Sequence, residues 1–189
     1  MNDGGTAVCI IVENLPVPFD RRVWQEARAL KEAGYRVSVI CPKGRGFARG
    51  RETIEGIEVY RHSLWEASGP LGYFIEYGWA LAAEFLLTLR IWARTRFRIL
   101  HACNPPDTIF LIGLWFKLFG VRFIFDHHDL NPELYEAKFG RRDFGYRLVC
   151  LAERLTFRAA DVSIATNQSY REIALVRGGM RPERVFVVR

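Results

Sequence analysis

Cysteine is scarce in this chain and never clustered. The four cysteines, Cys9, Cys41, Cys103 and Cys150, form no C-x-x-C pair. That spacing excludes a disulfide-stapled scaffold and the usual zinc frameworks. Three of the four fall in or at the ends of apolar, strand-like runs, as reduced core thiols do. Long hydrophobic runs are also missing. The two most apolar windows, 79–93 and 109–119, are interrupted by Glu84, Arg90 and Lys117, and both stop short of the roughly 20 apolar residues of a membrane span. The opening MNDGGTAV has no basic stretch followed by an apolar one, so it does not read as a signal peptide. A cytoplasmic chain is expected, with room for contact at the inner face of a membrane.

Several catalytic signatures are absent as well. No G-x-G-x-x-G follows the first strand-like run and no G-x-x-x-x-G-K-[S/T] occurs, which argues against dinucleotide and P-loop chemistry. There is no G-x-S-x-G elbow, and no cysteine sits in a nucleophile setting. Neither H-x-H nor H-E-x-x-H is present. Adjacent histidines on an extended chain point to opposite faces, so His127 and His128 cannot readily share one ion. No metal is expected.

What is present is a core-forming composition: 50% hydrophobic and 14% aromatic residues exclude disorder. The 27 Lys+Arg against 21 Asp+Glu, a formal +6, suggest anionic company. These cations are scattered over loops and helix ends without a reader motif, so nucleic acid is not expected.

Strand-like and helical stretches alternate throughout. TAVCIIVEN, YRVSVICP, IEVYRHS, RILHACN, VRFIFD, DVSIATN and RVFVVR read as seven strands. Asp20 can cap a helix with Val23, Ala27, Leu30 and Ala33 on one face and Gly34 as its stop. Helical spacing continues over 70–96, from Pro106 to Phe119, over 143–159 and after Asn167. Apolar strands separated by helices predict an α/β fold with a doubly wound, mostly parallel sheet. The last strand runs uncovered into Arg189, so a second domain is expected to be missing.

In such sheets, ligands bind outside the carboxyl ends of the strands. Three polar clusters fall there: NLPVPFDRR with Asp20, Arg21 and Arg22; HACNPPD with Asn104 and Asp107; and DHHDLNPE with His127, His128, Asp129 and Glu133. Together they are expected to rim one crevice suited to a polyhydroxylated ligand. His101 and His127 equally read as inward-facing core residues, and Asp20 and Asp107 as helix caps. The segment LGYFIEYGWALAAEFLLTLRIWARTRFR ends in Arg90, Arg94, Arg96 and Arg98, and reads either as a core helix or as a basic, aromatic helix on anionic lipid.

FDRRVWQEARALKEAGYRVSVICP, HACNPPDTIFLIG, FIFDHHDLNPELY and ADVSIATNQSYREIALVRGG, in this order, resemble the N-terminal half of the family 4 glycosyltransferases. The resemblance implies one Rossmann-like half of a GT-B fold, spanning 1–189 and contributing the acceptor side. The donor-binding domain with its E-x7-E segment would be absent, and this portion alone inactive. It implies retaining, metal-independent transfer from a nucleotide-diphosphate sugar to a hydroxyl of a glycan or lipid-linked acceptor, with no cofactor. A histidine in a T-x-H-D-like pattern lies beside the donor sugar in such families. His128 is the better match and His127 the fallback. The family's glycines after the first strand are replaced here by Pro16-Val17-Pro18, leaving Arg21, Arg22 and the helix start to meet phosphate. The alternative is a GT-B-like binding module without turnover.

Overall fold

The computed structural model describes residues 5–63 and 69–188. The chain is α/β with eight mostly parallel strands among the described residues, organised as two compact units, Met1–Leu100 and His101–Arg189.

In the first unit, β1 (Ala7–Ile11) pairs in parallel with β2 (Arg36–Pro42), and β2 with β4 (Ile57–His62). All five residues of β1 are buried, as expected of a strand covered on both faces. Helix α1 (Arg21–Glu32) starts where Asp20 caps it, Oδ1 accepting from the Val23 N–H at 3.1 Å. It ends where Gly34 adopts φ +88°, a conformation that favours glycine. Val23, Trp24 and Ala27 form its buried face. Helix α2 (Gly69–Thr95) packs on β1, β2 and β4.

One strand exceeds the expected seven. β3 (Arg51–Ile54) pairs antiparallel with β4, and the two are joined by Glu55-Gly56, both at positive φ. That is the geometry of a tight two-residue hairpin. Glutamate gives no turn signal, and here its conformation is held by partners outside the turn: Lys31 donates to its carbonyl and Arg28 pairs with its carboxylate at 3.2 Å.

In the second unit, which begins within β5 (Ile99–Cys103), the order is β5, β6 (Arg122–His127), β7 (Val162–Ala165), β8 (Val185–Val187), with β6–β7 and β7–β8 parallel. After β5, a 3-10 turn at Asp107–Ile109 leads into α3 (Phe110–Lys117). Gly113 packs α3 against the core, because a Cβ there would lie 2.8 Å from the Phe123 ring. Helix α4 (Asn131–Phe139) lies beyond the elements read from sequence; Pro132 in its first turn and Gly140 at φ +65° bound it. Helices α5 (Phe144–Ala159) and α6 (Gln168–Val176) start at Asp143 and Asn167, whose side chains accept from Tyr146 and Tyr170 N–H. α5 buries Glu153, Thr156, Phe157 and Ala159; the apolar spacing of Phe144, Leu148 and Leu151 faces solvent.

Candidate functional site

β5 and β6 are neighbours, so the polar loops at their carboxyl ends adjoin. Asp126, near the end of β6, is fully buried. One of its oxygens, Oδ2, meets His101 Nε2 from β5 at 3.0 Å and His128 Nε2 at 3.0 Å. Burial alone would raise the Asp126 carboxyl, but the hydrogen bonds from His101 and His128 hold it well below the usual carboxylate range. Of these three side chains, His128 is the one that reaches solvent, 14% exposed.

The loop carrying His128 is braced by Asn104. Its Oδ1 accepts from the backbone N–H of His128 at 2.6 Å and of Asp129 at 3.1 Å. Its Nδ2 donates to the Asp129 carbonyl at 2.7 Å and to Asp107 Oδ1 at 2.9 Å. The amide therefore has its two donors and its acceptor oxygen committed inside the protein. Asp107 also accepts from Asn131 Nδ2 at 2.8 Å. Burial pushes the Asp107 carboxyl up to about 7, against the lowering by those two amides. Asp107 does not cap its helix; Pro106 occupies the cap position, with no side-chain bond.

His127 points the other way. It is fully buried, with ring centroids of Phe125, Phe157 and Tyr170 at 5.4, 5.1 and 5.2 Å. Burial, with Arg177 nearby, lowers its pKa to about 4. Glu133 is tied to Arg177 (Oε1–Nη1 2.5 Å), which also pairs with the fully buried Glu153 (Oε2–Nε 2.6 Å). Burial raises Glu153; Arg177, although burial opposes its charge, is raised by the two carboxylates. Asp129 is half-buried beside His128.

In the first unit, Asp20 caps α1, Arg21 is exposed, and Arg22 pairs with Glu26 at 3.1 Å. The preceding Pro16–Pro18 loop is anchored by a residue not anticipated from sequence. Arg61 in β4 has a fully buried side chain, donates to the Val17 carbonyl at 2.6 Å and pairs with Glu52. Glu84 of α2 was read only as an interruption of an apolar run. It is fully buried, 3.8 Å from His62 Nε2. Burial raises the Glu84 pKa and lowers that of His62. A charge inside an otherwise apolar strand or helix was the signal available for both.

Comparison with known proteins places this geometry. A family model described as "Glycosyl transferase 4-like domain" matches residues 20–189. No curated protein matches the sequence. Among solved structures, the chain is similar to a sucrose-phosphate synthase from Thermosynechococcus elongatus (TM-score 0.71, 16% identity), covering 97% of this chain and 47% of that one. It is also similar to the catalytic domain of starch synthase IV from Arabidopsis thaliana (0.62, 13%; 98% and 51%). A third similar structure is a UDP-GlcNAc 2-epimerase from Methanocaldococcus jannaschii (0.58, 11%; 97% and 45%). The chain spans about half the length of each of these. With a match over nearly all its residues and the Rossmann-like half of a GT-B fold, the chain belongs to the glycosyl transferase 4-like domain family.

Proposed function

We propose that this domain serves sugar transfer from a nucleotide-diphosphate donor to a hydroxyl acceptor, with retention at the anomeric carbon and with His128 as the side chain that meets the donor sugar. The observation that carries this is the Asp126 bridge: one buried carboxylate fixes His101 and His128, and only His128 opens to solvent. In the transfer, the bond from the sugar's C1 to the phosphate oxygen breaks and its electron pair leaves with the diphosphate. Positive character develops on the ring and negative charge on phosphate, while the acceptor oxygen bonds to C1 and gives up its proton. A preoriented His128 offers a fixed dipole to the sugar as that charge develops. Asp126 and His101 are positioning residues behind it, and Asn104 holds the backbone they act on.

Asp129, half-buried next to His128, is assigned to an acceptor hydroxyl. Within the first unit, the start of α1 with its backbone N–H groups and the charge of Arg21 and Arg22 suits an anionic group. No metal or cofactor enters this scheme. A glycan or a lipid-linked alcohol suits the acceptor role.

The test is transfer of labelled sugar, measured in the whole protein carrying this domain, from a panel of nucleotide-diphosphate sugars. His128→Ala should lower kcat by about 100-fold or more with the fold intact. Asp126→Asn should lower kcat and change its pH profile while leaving donor binding close to normal. Undiminished turnover in His128→Ala would remove the proposal. Binding of donors without turnover in the unaltered protein would favour a binding module instead.

A further inference from the structure

Helices α3 and α5 pack beside each other in the second unit, and both turn large apolar side chains to solvent. On α3 and the turn that ends it, Leu111, Leu114, Trp115, Leu118 and Phe119 are exposed, Leu118 to 77%. On α5 the exposed residues are Phe144, Leu148 and Leu151, with Phe144 at 73%. Their spacing of four and three residues puts them on one line along the helix. Single exposed apolar residues need no explanation, but two adjoining helices carrying them together mark a contact surface.

Charge identifies what that surface meets. At about 100° per residue, Arg147, Arg154 and Arg158 run along one flank of the Phe144–Leu151 line, and all three are exposed. The sole acid of α5, Glu153, lies on the opposite side, fully buried against Arg177. The outer face of α5 is thus an apolar stripe beside a basic one with no carboxylate of its own, the pattern of a helix lying in a membrane interface. On α2, whose side chains are described from Gly78 onward, the exposed large apolar residues are Trp79 and Leu86, and the rest of its aromatic stretch lies outside the described side chains.

We propose that the α3–α5 face docks on an anionic lipid surface, its apolar line entering the acyl boundary and its arginines meeting headgroup phosphates. A second copy of the chain is a poorer occupant, because a two-fold contact through this face would bring two arginine rows together. The inference is independent of the role given to His128.

Co-sedimentation of the chain with phosphatidylcholine vesicles, and with phosphatidylcholine–phosphatidylglycerol vesicles, tests it. Binding is expected with the anionic mixture and should weaken with added salt. Replacing Arg147, Arg154 and Arg158 together by Gln should reduce partitioning on the order of 100-fold. The pair Leu148→Asp and Leu151→Asp should abolish it with only a small fall in melting temperature, since both side chains are exposed. Absence of binding to anionic vesicles, or binding that survives both sets of changes, would overturn the proposal. So would a concentration-dependent dimer, seen in sedimentation and lost in the Leu148/Leu151 variant, in a chain that ignores vesicles.

Discussion

Replacing His127 by phenylalanine should alter the way the chain's stability responds to acid, and the structure sets the size of the effect. His127 is held neutral in an aromatic cage, with its pKa lowered from 6.5 to about 4. Between those values the unfolded chain binds a proton that the folded chain refuses. The stability associated with the neutral ring is therefore complete above pH 6.5 and is lost as pH falls toward 4, about 3 kcal/mol in all. Asp107 acts in the opposite sense. Burial raises its pKa from 3.8 to about 7, so the folded chain keeps a proton that the unfolded chain releases, and about 4 kcal/mol is lost as pH rises across that interval. Over the shared window, pH 4 to 6.5, each contributes roughly 1.4 kcal/mol per pH unit with opposite sign, and the two nearly cancel. Urea unfolding followed by tryptophan fluorescence at pH 4.5, 5.5 and 6.5 would separate them. Relative to the unaltered chain, His127→Phe should gain about 2 kcal/mol on going from pH 6.5 to 4.5, and Asp107→Asn should lose about as much. The comparison rests on slopes, so any packing change that shifts a variant uniformly does not disturb it. Parallel stability curves for the unaltered chain and His127→Phe would refute the reasoning.

Two further outcomes are expected. Gly113→Ala should destabilise by about 1–3 kcal/mol despite alanine's better helix propensity, because its Cβ would meet the Phe123 ring at 2.8 Å. Thermal denaturation checks this, and adding Phe123→Leu should recover part of the loss. Asn104→Ala should cost at least about 3 kcal/mol, since it strips partners from the His128 and Asp129 N–H groups and from Asp107. Hydrogen exchange at the His128 and Asp129 amides should accelerate in that variant; unchanged protection would show that the brace is not Asn104.

Much of the fold was legible in local signals. Asp20 and Gly34 bracket α1 as capping chemistry requires, and the apolar strands fall where seven runs of strand-like sequence placed them. β3 escaped because the turn that forms it uses Glu55 at positive φ, held by Lys31 and Arg28 from another element. Helix α4 escaped because its residues were read only as a polar cluster, although Pro132 and Gly140 were ordinary boundary signals. At the candidate site, alternation along an extended strand separates His127 from His128, and the structure puts the first in the core and the second at the surface. Sequence could not assign Asn104 its bracing role, because its partners His128 and Asp129 lie 24 and 25 residues away.

The sequence by itself determined the order of the seven expected strands, the cap and stop of α1 and the polar loops at the carboxyl ends of β5 and β6, because capping, glycine conformation and hydrophobic period act over a few residues. Tertiary structure alone decided which histidine shares Asp126 with His101, that Arg61 is buried beneath the Val17 loop, and that the apolar stripe of α5 faces outward. Those outcomes depend on which strands become neighbours and which helix faces they leave uncovered, and no local spacing carries that information.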